Sequence, residues 1–198
     1  MTGKATRDQI VDASDKLFYR QGFADTSFAD IAGAVQISRG NFYHHFKTKD
    51  AILQAVIDTR LAETGRMLEA WERESEDPAD RVRSFIHILI ANRADIRRYG
   101  CPVGTLSTEL AKLNHGAKGE AVALFTLFRT WLGRQFSALG RTRDADALAM
   151  HLLAMSQGVA TLATAFGDEA FIRREVRRMC DWLDECIAGS APGRNKGE

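Results

Sequence analysis

The sequence predicts an all-α protein. Three observations carry that expectation. Apolar residues recur at helical spacing along almost the whole chain, strand-like alternation and hairpin turns are nearly absent, and the 198 residues include only 3 prolines. Ile10, Ala13, Ser14, Leu17 and Phe18 share one face of a first helix, which Gln21 and Gly22 close. Ser27, with Asp30 three residues on, has the form of a capping box opening a second helix, whose buried stripe is Phe28, Ile31, Ala32 and Val35. Ser38 starts a third helix that reaches His45, and Asp50 starts a long fourth one through Trp71. Further helices are expected over about 78–97, 104–113, 116–139, 144–166 and 169–188. The tail 189–198 lacks apolar periodicity and is expected to be disordered.

Composition narrows the function classes. A chain of this length that is 45% hydrophobic and 27% charged has enough apolar matter for a core, which excludes a disordered polymer. The formal net charge of +1 counts at first against a nucleic-acid partner. Its distribution removes the objection. Residues 1–50 hold seven bases and six acids, residues 51–198 hold twenty of each, and the stretch from Ser38 to Lys49 holds three bases and no acid. Cys101, Cys180 and Cys186 are odd in number and lack C-x-x-C spacing, so neither a disulfide framework nor a zinc site is expected. No cofactor or metal is expected. Residues 1–16 carry charges in place of a signal peptide's apolar core, and the reading is cytoplasmic, with no membrane partner.

Two short helices joined by a tight turn suggest a helix-turn-helix. With Phe42 and Phe46 facing the core, Arg39 and Tyr43 flank one side of the third helix and Asn41 and His45 the other. Gly40 and His44 point away from the core. The outward arc therefore carries donors, an aromatic ring and a bare backbone position. Arg39 can fork onto guanine, Gly40 permits close approach, Ser38 opens a helix N-terminus suited to phosphate, and Lys47 and Lys49 supply point charges. On a short amphipathic helix alone, the same residues would read as a solvated face.

The segment 25–56, and above all Ile37-Ser38-Arg39-Gly40-Asn41-Phe42-Tyr43-His44-His45-Phe46-Lys47-Thr48-Lys49-Asp50, closely resembles the DNA-binding head of TetR-family transcriptional regulators. The resemblance implies a DNA-binding domain at 1–49 and a helical effector-binding and dimerisation domain at 50–188. It implies that Arg39 and Tyr43 meet base edges and that Thr26, Asn41, His45 and Lys49 meet the backbone, with Ser27 and Lys47 as further phosphate contacts. Gln36 departs from the family's usual glycine in the turn and must adopt a conformation that glycine accepts more easily.

The stretch 147–167 has no formal charge, and its length alone would span a bilayer. Its polar and small residues favour a helix buried in protein or packed in a dimer, which the family resemblance also implies. Leu148, Leu152, Val159, Leu162 and Phe166, with Phe171, Val176, Met179 and Leu183 of the last helix, are the expected interface; burial inside one subunit is the competing reading. Candidate effector contacts are Phe85, Phe125, Phe128, Trp131, Met155 and Cys101. Cys101 lies in a Gly-Cys segment similar to that of a TetR-family subgroup containing an electrophile-sensing repressor. It is read either as a sensing thiol or as a small buried residue.

The expected protein is thus no enzyme but a repressor that binds double-stranded operator DNA as a homodimer and leaves it when a small molecule binds. An activator of the same family is the alternative. An enzyme is disfavoured because His87, His115 and His151 stand singly, without triad or metal spacing. An adaptor is disfavoured because it has no need of the acid-free polar arc.

Overall fold

The computed structural model describes residues 3–189, among which there are ten helices and no strand. They are α1 (Gly3–Gln21), α2 (Phe28–Val35), α3 (Arg39–His45), α4 (Lys49–Glu74), α5 (Pro78–Ala91), α6 (Arg93–Tyr99), α7 (Pro102–Lys112), α8 (Lys118–Ala138), α9 (Ala145–Phe166) and α10 (Glu169–Ala188). The all-α expectation holds. The tail expected to be disordered lies outside the described residues, except for Gly189, which caps α10.

The largest departure in the helix pattern is at Asn92. Residues 78–97 read as one helix, but α5 stops at Ala91 and α6 begins at Arg93. Asn92 turns its side-chain amide back onto the Ile88 carbonyl at 2.9 Å and leaves helical geometry at ψ 13°. Asparagine competes for helix carbonyls in this way, which is why it marks ends more often than interiors.

The chain forms two compact units. The first comprises residues up to Arg66 together with Cys101–Leu127. Its core takes Ile10, Val11 and Phe18 from α1, Ile31 from α2, Phe42 from α3, and Ile52, Leu53, Val56 and Ile57 from α4. Leu106 and Leu110 of α7 and Ala121 of α8 complete it, a contribution that nothing local in their sequence announces. Arg60 braces this unit: it bonds Asp15 of α1 at 2.6 Å through Nε and the Pro102 carbonyl at the start of α7 at 2.8 Å.

The second unit comprises, among the described residues, 67–100 and 128–189. Val82, Phe85, Ile86 and Leu89 of α5, Trp131, Leu132 and Phe136 of α8, and Ile172, Val176, Met179 and Leu183 of α10 are buried in it. Helix α9 is the one helix among the described residues that is long and apolar enough to cross a membrane by length and composition. It buries Ala149, Leu152, Leu153, Ser156, Val159, Ala160 and Ala163 within the protein and leaves its opposite side exposed.

Candidate nucleic-acid interface

The head's geometry begins with its caps. Ser27 Oγ accepts the Asp30 amide at 3.2 Å while Asp30 accepts the Ser27 amide at 2.8 Å, closing the expected capping box on α2. The Ser27 hydroxyl also donates to the Asp30 carboxylate at 2.6 Å, and this bond first, then the one from the Ser27 amide, holds the Asp30 carboxyl below its ordinary range. At the other end of α2, Gln36 takes the left-handed conformation with φ 57° and ψ 42°. The Ile37 amide then reaches the Ala32 carbonyl at 3.3 Å, so the chain turns sharply into α3. A glycine conformation is thus occupied by glutamine. Ser38 caps α3 by accepting the Asn41 amide at 3.3 Å.

The turn aims α3. Phe42 and Phe46 are buried at 1% and 3% exposure, while Gly40, Asn41, Tyr43 and His44 are exposed. A Cβ built on Gly40 would meet nothing within 4 Å, so the bare backbone faces open space. Tyr43 is held by ring contacts with Phe28 at 5.6 Å and Phe42 at 6.2 Å. Phe28 in turn meets Phe42 edge-on at 5.2 Å. Beside Tyr43 lies a recess of about 380 Å³ lined by Ser27, Phe28, Ala29, Ala32 and Phe42. His45 is half-buried with its ring 5.2 Å from that of His44, and Lys47 is exposed. The Arg39 side chain, the expected base reader, lies outside the described residues.

Two of the expected phosphate contacts sit elsewhere. Thr26 is 1% exposed; its hydroxyl donates to the Gly22 carbonyl at 2.6 Å. The Lys49 ammonium donates to the carbonyls of Phe23 at 2.8 Å, Ala24 at 3.2 Å and Thr26 at 3.0 Å. Both therefore build the α1–α2 loop in the free protein instead of presenting a free donor. The opposite edge of that loop is held by Glu109 of α7, whose carboxylate accepts the Phe23 amide at 2.9 Å and the Ala24 amide at 2.8 Å. Glu109 had no signal in the sequence, because it stands 85 residues from the loop that it binds.

The expected interface residues divide. Leu152, Val159, Val176, Met179 and Leu183 are each at most 6% exposed within a single chain, so the stripe that contains them is intramolecular core and not a free face. On α9 the charge-free sequence gives no polar side to orient the helix, and on α10 the apolar stripe packs into its own chain. Leu148 and Phe171 are half-buried, whereas Leu162 and Phe166 are exposed at 45% and 79%. Met150, not among the expected residues, is 45% exposed on the same side.

The effector candidates fall in both units. In the first, Cys101 is half-buried and caps α7, its Sγ accepting the Gly104 amide at 3.5 Å; Phe125 is half-buried as well. In the second, Phe85 and Phe128 meet edge-on at 5.4 Å and Met155 is half-buried. Trp131 lies 5.7 Å from Trp71, and its buried Nε1 has no hydrogen-bond partner among the described residues. Burial pushes the thiols of Cys180 and Cys186 up.

Comparison with known proteins places this architecture. The profile described as "Bacterial regulatory proteins, tetR family" matches residues 10–56. The HTH-type transcriptional repressor DhaR of Mycobacterium sp. (strain GP1) is 24% identical over 197 residues, covering 94% of this chain and 91% of that protein. The HTH-type transcriptional regulator TtgR of Pseudomonas putida is 44% identical over 85 residues, covering 43% of this chain and 40% of TtgR. A TetR-family regulator structure from Agrobacterium tumefaciens superimposes with a TM-score of 0.80 at 22% identity, over 91% of this chain and 98% of that one. Residues 10–56, which hold the capped α2–turn–α3 head, thus match the DNA-binding head of the tetR family of bacterial regulatory proteins, and the all-helical remainder is similar in fold to a solved TetR-family regulator.

Proposed function

We propose that this protein is a cytoplasmic transcriptional repressor that binds a pseudo-palindromic operator as a homodimer and is released by a small molecule. The observation that carries the reading is the aim of α3: Phe42 and Phe46 anchor it, and Gly40, Asn41, Tyr43 and His44 stand exposed on the other side with no acid among them. In this reading residues 1–49 form the DNA-binding head. Arg39 and Tyr43 read base edges, and Gly40 admits the groove wall. Ser27, Ser38, Asn41, His44, His45 and Lys47 engage the backbone or neighbouring edges. Thr26 and Lys49 act one step back by shaping the loop from which α2 starts.

Residues 50–188 form the effector-binding and dimerisation body. Its partner-facing surface is the exposed side of α9, where Ala147, Met150, Ala154, Gly158, Leu162, Ala165 and Phe166 offer apolar and small groups without formal charge. Two heads joined this way would enter successive major grooves roughly 34–36 Å apart. An effector that binds the body better in a second head spacing would shift the population toward it and lower operator affinity.

The experiment is selection of bound duplexes from a random pool, followed by titration of the winning duplex at several salt concentrations. A two-fold related site bound by two chains is expected. A chain that enriches no duplex would overturn the reading.

A further inference from the structure

Helix α10 carries its charges in two blocks. Its buried stripe is Ile172, Val176, Met179 and Leu183. At 3.6 residues per turn, Arg174, Arg178, Asp181 and Glu185 lie within about 60° of one another on the opposite side. All four are exposed. The order along the helix is two cations and then two anions. Arg174 bonds Asp168 at 3.0 Å and its guanidinium lies 5.9 Å from the Phe171 ring centroid, while Arg178 bonds Glu175 at 2.7 Å. Among the described residues, the carboxylates of Asp181 and Glu185 have no hydrogen bond or ion pair.

This stripe adjoins the charge-free face of α9. A turn at Gly167 and Asp168 joins the two helices, and His151 on the exposed side of α9 lies 5.1 Å from the Trp182 ring of α10. The apolar face and the charged stripe are therefore neighbours on one surface of the second unit.

From this we infer the register of that homodimer: α10 crosses its own copy antiparallel, with the midpoint between Met179 and Cys180. The inference rests on the homodimer reading and adds its register. In a two-fold contact, residue i meets j and j meets i. A midpoint at 179–180 sets Arg174 against Glu185 of the other copy and Arg178 against its Asp181. The symmetry makes four such encounters, every one of opposite sign. A parallel crossing would set cation on cation and anion on anion. The α9 face supplies burial, and the α10 stripe selects orientation and rejects partners whose last helix lacks this order.

Two variants of equal net charge test this. R174E/E185R exchanges the charges within one predicted pair and keeps every encounter attractive. R174E/D181R makes all four repulsive. Both lose the Arg174–Asp168 bond, so that loss cancels in the comparison. Dimer dissociation constants come from sedimentation of the full chain at low ionic strength, with helix content checked by circular dichroism. R174E/E185R is expected to stay near wild type, and R174E/D181R to dissociate at least about tenfold more readily, a difference that 1 M salt removes. Equal dissociation of the two variants, with a wild-type dimer, would overturn the register and leave the homodimer reading standing. A monomeric wild type would overturn both.

Discussion

Lys49 holds Phe23 twice: its ammonium donates to the Phe23 carbonyl at 2.8 Å and lies 4.4 Å from the centroid of the Phe23 ring. With two further carbonyls on the same ammonium and two amides of the loop on Glu109, the α1–α2 connection is bound along both edges. Hydrogen bonds to charged groups contribute about 1.5–3 kcal/mol, so Lys49→Met should lower stability by a few kcal/mol at most. Urea denaturation checks it. An unchanged midpoint would show that the ammonium does not hold the loop.

Glu109→Gln replaces one carboxylate oxygen by a donor and sets it against a loop amide. The loss should be on the order of 1–2 kcal/mol. Operator affinity should fall with it while the dependence of affinity on salt keeps its slope, because Glu109 touches no phosphate in this reading. A changed slope would mean that Glu109 acts on DNA more directly.

Lys47 and Arg39 separate charge from sequence reading. Lys47 is exposed, so Lys47→Ala should weaken binding to all duplexes alike and reduce the salt slope by about one. Arg39→Ala should cost about 1–3 kcal/mol and relax preference at one base position per half-site. The measurement is anisotropy titration against the selected duplex and single-base variants of it. Uniform loss from Arg39→Ala would place Arg39 on the backbone.

Gln36→Gly should stabilise the head by up to about 1 kcal/mol, since φ 57° costs a residue with a Cβ and costs glycine nothing. Thermal unfolding reads this directly, and a lower Tm would mean that the glutamine side chain contributes more than its backbone costs.

Acid should unfold this protein through its caps and Arg-paired carboxylates. Hydrogen bonds lower the folded pKa of Asp30 through Ser27, of Asp144 through Arg141, of Asp146 through Arg129 and of Asp168 through the Phe171 amide. A carboxylate whose folded pKa is depressed stabilises the fold above its unfolded value and loses that contribution as pH falls through the folded one. Stability should therefore be flat near neutrality and fall as the pH drops through and below the ordinary aspartate range. Asp30→Asn should shallow that fall, as followed by circular dichroism.

Cys101→Ser tests the thiol as trigger. If a conjugated electrophile acts there, the sulfur–carbon bond forms at the activated alkene and the thiol proton ends on the adjacent carbon. The serine variant should then bind operator normally and fail to release it on treatment with N-ethylmaleimide. A fully responsive serine variant would leave Cys101 as a structural cap.

What the amino-acid order determined by itself is local. The Ser27–Asp30 box, the strain at Gln36, the cap at Ser38 and the inward Phe42 and Phe46 all depend on neighbours within one or two turns, so period and capping chemistry reveal them. Tertiary structure decided the rest. Leu106, Leu110 and Glu109 belong with the head's core and loop although about 85 residues separate Glu109 from its partners. Lys49 turned from a free cation into a loop clamp because three carbonyls of the α1–α2 loop converge on it. Helix α9 shows the same limit: without a charged side, its sequence could not tell the buried Leu152 from the exposed Leu162. Burial depends on which surfaces meet, and that is a property of the folded chain as a whole.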